Sequence, residues 1–474
     1  MSTQQERFTA IADAIRAKKG TTAAIVANDF ASEIENLPSE SAPETVTVSI
    51  LGLTTGVSVT IYYPDNTETQ DFEGEDLVFA IPVNEYYKIN FSNMSGYITP
   101  APLGVYKAVA GYERAIIVEY IESEAATIYF DKTIASTQNI SGEVNQGAIA
   151  SIFSQSYRCL SKPHPTIGGQ VITMLAGETD QYTDGEPAAT DGSEGDVMVY
   201  LPNTFYLNEK IDDDSSRLSI SESTIGAGQM YAERLIAAYK THIGEDGIPR
   251  SISGVLPTSS VSPNGFRSAS ILKGDGWSNI HYDDHCLIAM LFYAKYGNRD
   301  SQAVTGTGAL NYGSGLTGTT NSLLNTDTNG YESGKANNFM GIEAYTGWYY
   351  EWVDGVEINN GVWTITQLDG TTRNVQGITT SGWITRLAFE EGGYFDIIPI
   401  EVGGSSSSYY ADYFMGSTST VRVLARSGYS TVTYGGVACT YTSYDSTNTY
   451  AYCGSRLAFH GTITIVDPAT YRSL

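Results

Sequence analysis

A chain of 474 residues is long enough for two to four domains, and a 41% hydrophobic content lets each bury a core. A formal charge of −27 excludes a nucleic-acid backbone as partner, because that ligand needs clustered Lys and Arg. The 48 Gly and 34 Tyr indicate a loop-rich chain rather than a helical one, and no apolar run reaches the length of a membrane span.

Residues 1–38 predict a small helical module. Phe8, Ile11 and Ile15 recur at helical spacing up to Gly20, and Phe30, Ile34 and Leu37 do so before Pro38. Two helices this short bury too little alone, so attachment or oligomerisation is their expected role. The preceding MSTQQERF lacks the basic and apolar segments of a secretion signal.

From Thr45 the hydrophobic period becomes two: Val46, Val48, Ile50, then Val57, Val59, Ile61, and onward to Ile116 and Val118. Short alternating strands over residues 45–121 predict a small immunoglobulin-like β-sandwich acting as a spacer. Residues 127–474 form the third region. Strands are expected at Thr127–Phe130, Asp196–Leu201, Trp348–Val353 and Gly361–Thr366, and helices over about Tyr231–Thr241 and Asp283–Tyr296. The fold class expected is therefore α+β and multidomain.

Near the C-terminus, residues 405–460 are crowded with Tyr, Ser, Thr, Gly and Asn and are bracketed by the apolar runs Val421–Ala425 and Gly454–Phe459. Tyr offers large contact area at low entropic cost, and Ser, Gly and Asn offer adaptable hydrogen bonds, as in antibody binding loops. That composition points to recognition rather than catalysis.

Candidate chemistry is sparse. His281 and His285 lie one helical turn apart, but Tyr282 stands where a zincin has Glu, so a capped helix start is the expected role. Asp212–Asp214 and Asn325–Gly330 carry calcium-like spacing, yet Ala336 stands where a twelfth-position Glu belongs; polar turns are expected and no metal is assigned. Trp348, Tyr349, Tyr350, Trp352, Trp383 and Phe389 read as core. Cys159, Cys286, Cys439 and Cys453 show no CxxC spacing and read as buried free thiols, with a Cys439–Cys453 disulfide the alternative. No nucleophile-elbow sequence occurs. No catalytic residue and no cofactor are assigned.

Five phrases in order carry a family resemblance: EGDVMVYLP, GWSNIHYDDHCLIAMLFYAKYGNRDSQ, NNFMGIEAYTGWYYEWVDGV, FDIIPIEVGGSSSSYYADYF and RVLARSG…GSRLAF. Together they resemble phage tail-tip and tail-fibre proteins of C-type-lectin-like fold, in the formylglycine-generating-enzyme-like branch that includes receptor-binding proteins varied by retroelements. The N-terminal FTAIADAIRAKKGTTAAIVANDFASEIENL resembles the helical opening of phage tail proteins. The resemblance implies a virion adhesin, made in the host cytoplasm, in which residues 1–38 attach to tail or baseplate proteins. It implies a homotrimer and a glycan or protein receptor on a bacterial surface. The implied receptor-binding residues are Tyr429, Ser430, Thr431, Thr433, Tyr434, Tyr441, Ser443, Tyr444, Asp445, Asn448, Tyr450 and Tyr452. The cysteine pair of the enzymes in that branch would map to Cys439 and Cys453, which lack a neighbouring His or basic group to activate a thiol. The alternatives are a tail-associated depolymerase or cell-wall hydrolase and a structural decoration protein.

Overall fold

The computed structural model describes residues 42–474 apart from 64–66, 93, 95–96, 99–102, 123–124, 178–179, 309, 322–335, 420 and 429–433. The helical module expected in 1–38 lies outside the described residues.

The period-two alternation after Thr45 builds two facing sheets. One orders Leu77–Ile81, Glu44–Leu51 and Glu113–Glu119; the other orders Thr67–Phe72, Val57–Tyr62, Tyr86–Phe91 and Leu103–Lys107. Val46, Val48, Val59, Ile61, Phe79 and Ile89 are fully buried between them, as alternation requires when one face of each sheet is apolar. Glu44 is buried with them and accepts hydrogen bonds from the Tyr87 hydroxyl at 2.5 Å, Arg114 Nε at 2.7 Å and the Val109 amide at 2.7 Å. A buried carboxylate is tolerable only with such a full set of donors. Here it also joins the two sheets, because Tyr87 and Arg114 lie on opposite ones.

Beyond residue 125 the chain forms a five-, a seven- and a nine-stranded sheet. Strand dominates the described residues. The helices there are α1 (Gly147–Gln155), α2 (Pro263–Ile271), α3 (Tyr282–Tyr296), α4 (Ser301–Thr305) and α5 (Pro468–Ser473). The described residues are thus mostly β, in several sheets, so the α+β expectation holds only in part. Helix α3 runs through the core, with Asp284 to Ala294 buried on every side. A helix covered all round shows no single apolar stripe. Its start is a capping box: His281 Nδ1 accepts the Asp283 amide at 3.2 Å and the Asp284 carboxylate accepts the His281 amide at 2.7 Å. Gly297, at φ +60°, closes its other end in the left-handed region that glycine adopts without strain.

The expected helix over Tyr231–Thr241 is not one. Gln229–Tyr231 and Arg234–Ala237 are strands, and the second is central in the seven-stranded sheet, between Asp196–Leu201 and Leu457–Phe459. Arg234 through Thr241 are all buried, so the apolar run LIAAY is covered on both faces. Such a run fits a buried strand and a buried helix equally by period alone, and pairing decides. Helices α1 and α2 carried weaker patterns, although Ser262 before Pro263 is a legible start: its side chain accepts the Gly265 amide at 3.1 Å.

A candidate recognition face of stacked tyrosines

The C-terminal face is built on the nine-stranded sheet. In it Tyr350–Asn359 pairs with Arg422–Arg426, which pairs with Thr440–Tyr444, which pairs with Tyr413–Met415, which pairs with Gly382–Leu387. The pairing of Arg422–Arg426 with Thr440–Tyr444 contains a bulge. Val423 opposes Tyr444 and Ala425 opposes Tyr441, so two steps on one strand match three on the other. Strict alternation would send Tyr441 and Tyr444 to opposite faces; the extra residue returns both to the same one. Their rings stack with centroids 4.4 Å apart.

From that pair the aromatic contacts run on. Tyr444 meets Tyr450 at 4.7 Å, Tyr450 stacks on Tyr452 at 5.1 Å, and Tyr452 meets Tyr312 at 6.1 Å. Beneath them lie Tyr350, 5.5 Å from Tyr441, and Trp352, edge-on to Tyr444 at 5.5 Å. Contacts of this geometry add about 0.5–1.5 kcal/mol each beyond burial. Tyr444 is only 7% exposed and its hydroxyl lies 3.1 Å from that of Tyr452, so it supports the face rather than presenting a free ring. Burial, with the Tyr452 hydrogen bond, drives its phenol pKa upward, which keeps it neutral. Tyr441, Tyr450 and Tyr452 are half-buried.

Tyr434 takes part in a second aromatic cluster. Tyr434 packs with Trp383 at 6.1 Å and Tyr413 at 5.5 Å, and Trp383 meets Tyr413 edge-on at 5.5 Å. Trp383, expected in the core, is half-buried and walls this second aromatic cluster, while Phe389 and Trp348 to Trp352 are buried as expected. Asp445 and Asn448 shape the connecting turn. Asp445 accepts the Thr447 amide at 2.9 Å and hydroxyl at 2.6 Å, and Asn448 Oδ1 accepts the Asp445 amide at 3.1 Å. Ser443 is half-buried at the bulge. Tyr429, Ser430, Thr431 and Thr433 lie outside the described residues. Tyr312, Tyr350, Trp352, Trp383 and Tyr413 belong to the aromatic clusters but were not foreseen there. Only long-range pairing brings them in.

The turn after Tyr434 is held from below. Asp412 carboxylate oxygens accept the Gly436 amide at 2.6 Å and the Ala438 amide at 2.8 Å, and Ser301 Oγ accepts the Val437 amide at 2.9 Å. Deeper still, Glu351 binds Lys240 Nζ at 2.9 Å and Arg456 Nε at 2.8 Å, and His285 lies 3.5 Å away. Arg456 also donates to the carbonyls of Ala237, Glu343 and Ala344. These buried groups lock the strand carrying Tyr350 and Trp352 to the GSRLAF segment. Cys439 and Cys453 are free and buried, and burial raises both thiols, so neither is poised as a nucleophile.

The calcium-like Asp212–Asp214 is a hairpin turn in which Asp212 Oδ1 accepts the Asp214 amide at 2.9 Å and the Ser215 hydroxyl at 2.7 Å. The Asn325–Gly330 motif lies outside the described residues. Among the described residues, no group of three or more His, Cys, Asp and Glu is placed to hold a metal ion.

No protein-family model matches the chain, and no curated protein does. Among solved structures the chain is similar to one titled Major Tropism Determinant I1 Variant, at 11% identity and a TM-score of 0.21, over 87% of this chain and 74% of that one.

Proposed function

We propose that this protein is a phage tail adhesin that binds a bacterial surface receptor through the tyrosine face. The observation that carries the reading is the unbroken aromatic row Tyr441–Tyr444–Tyr450–Tyr452–Tyr312, backed by Tyr350 and Trp352. Its rings are pre-ordered, so binding loses little side-chain entropy, and Tyr is among the residues that dominate interface energetics. The resemblance of the five phrases to lectin-like tail proteins supports placing this face at a virion tip.

In this reading residues 127–474 are a C-type-lectin-like domain, residues 45–121 an immunoglobulin-like spacer, and residues 1–38 the attachment to the tail. Three copies assemble, and weak single sites gain strength by avidity. The residues 429–452 are the segment a retroelement would vary. A reverse-transcriptase gene beside a near-repeat of this coding segment would support that variation, and its absence from the neighbouring DNA would remove it.

The test is adsorption of purified protein to host cells. Tyr444→Ala would disturb packing on Trp352, so the informative substitutions are Tyr450→Ala with Tyr452→Ala, and separately Tyr434→Ala. Loss of a pair of aromatic anchors is expected to weaken binding roughly 10-fold or more. Unchanged adsorption by folded variants would overturn the assignment of this face.

A further inference from the structure

A second constellation shares no residue with the tyrosine row, and no sequence motif marks it. Ser278, on the strand Trp277–Asn279, places its Oγ 3.4 Å from His460 Nδ1. The other ring nitrogen, Nε2, lies 2.9 Å from Asp284 Oδ1. The three residues come from three elements. Pairing of Ser278 with Ala458 sets the serine beside the end of the strand Leu457–Phe459, and His460 follows that strand, its amide bonded to the Gly276 carbonyl at 2.8 Å. Asp284 sits in the first turn of α3.

We propose that Ser278, His460 and Asp284 form a nucleophilic site for ester hydrolysis. Asp284 is buried, which opposes its charge, but His460 and Arg234, the latter at 2.8 Å, more than offset burial and hold the carboxyl well below its usual range. An ionised Asp284 accepts the Nε2 proton. That assigns the tautomer and leaves the Nδ1 lone pair aimed at the serine hydroxyl, the relation of base to nucleophile in a serine hydrolase with the two ring nitrogens exchanged. Ser278 and His460 open onto a cleft of about 550 Å³, also lined by Arg267, Trp277 and Asp354, with room for an acyl group and its alcohol. A separation of 3.4 Å is within the looser range of unliganded sites.

Ser278 Oγ forms a bond to the ester carbonyl carbon while His460 Nδ1 takes its proton. Collapse breaks the bond to the alcohol oxygen, which leaves with that proton. Water then attacks the acyl-serine, giving one proton to His460 Nδ1, and the proton returns to Ser278 Oγ as the carboxylic acid departs. Ser278 and His460 are the catalytic residues; Asp284 is a positioning residue acting through His460.

The full-length protein should be labelled at Ser278 by an alkyl fluorophosphonate and should hydrolyse p-nitrophenyl acetate. Ser278→Ala should abolish the label. His460→Gln should slow labelling and hydrolysis on the order of 100-fold with an unchanged circular dichroism spectrum. Asp284→Asn should lower kcat with little change in KM if it still folds. Ser278→Cys supplies a readout that does not depend on that variant, because its thiol should react faster with iodoacetamide than the same thiol in a His460→Gln background. No label at Ser278, or equal labelling with and without His460, would overturn the proposal. Adsorption of the Ser278→Ala protein to cells should be intact, which separates this site from the adhesin reading.

Discussion

Glu351 and Arg456 are fully buried, and their worth follows from what each would leave behind. Replacing Arg456 by Met removes one cation from Glu351 and strips the partner from three carbonyls, so a loss of about 3–5 kcal/mol in urea unfolding is expected. Gly436 makes a similar point at a smaller scale. A Cβ there would collide with the Asp412 carboxylate and Ser301 Oγ, the two groups that hold the turn. Gly436→Ala should therefore lower stability by about 1–3 kcal/mol, read as a shift in Tm. At this scale the sequence was informative only in part: residue type marked out a segment rich in Tyr, Ser and Asn. That Tyr444 is buried while Tyr450 and Tyr452 stay half-open is not encoded in residue type.

Among elements, the bulged strand Thr440–Tyr444 matters most, because one extra residue decides which rings share a face. Deleting Ser443 restores equal pairing and should turn Tyr444 away from Trp352. The expected result is a red-shifted Trp emission and lower stability, and an unshifted spectrum would count against the role given to the bulge. The helix Asp283–Tyr296 was legible because its cap, apolar length and closing Gly agree. Its observed span is Tyr282–Tyr296. Tyr231–Thr241 was misread because a strand buried on both faces shows no period of two.

The whole molecule carries its charge problem in the core. Burial lowers the His285 pKa from 6.5 to about 3, and the charges of Arg456 and Lys240 hold Glu351 at about 2 against its own burial penalty. In both cases the unfolded chain binds the proton first as pH falls. The stability held by neutral His285 is complete above pH about 6.5 and drains away toward pH about 3, and that held by Glu351 is complete above about 4.5 and drains toward about 2. The urea midpoint should therefore fall between pH 6.5 and 4.5, and His285→Gln should flatten that part of the profile. An equally steep profile in the variant would show that the loss arises elsewhere.

The sequence alone determined the strands over residues 45–121, the helix at Asp283–Tyr296 and the Tyr- and Ser-rich composition near the C-terminus. Each is a local property, written in period, cap or residue type. Tertiary structure alone decided the rest. Glu351 meets Arg456 across 105 positions, and Asp284 meets His460 across 176. Tyr312 joins Tyr452, and Trp383 joins Tyr434, only through strand order and loop return. No local pattern records such partners, because the energy that selects them is burial and pairing between segments far apart in the chain.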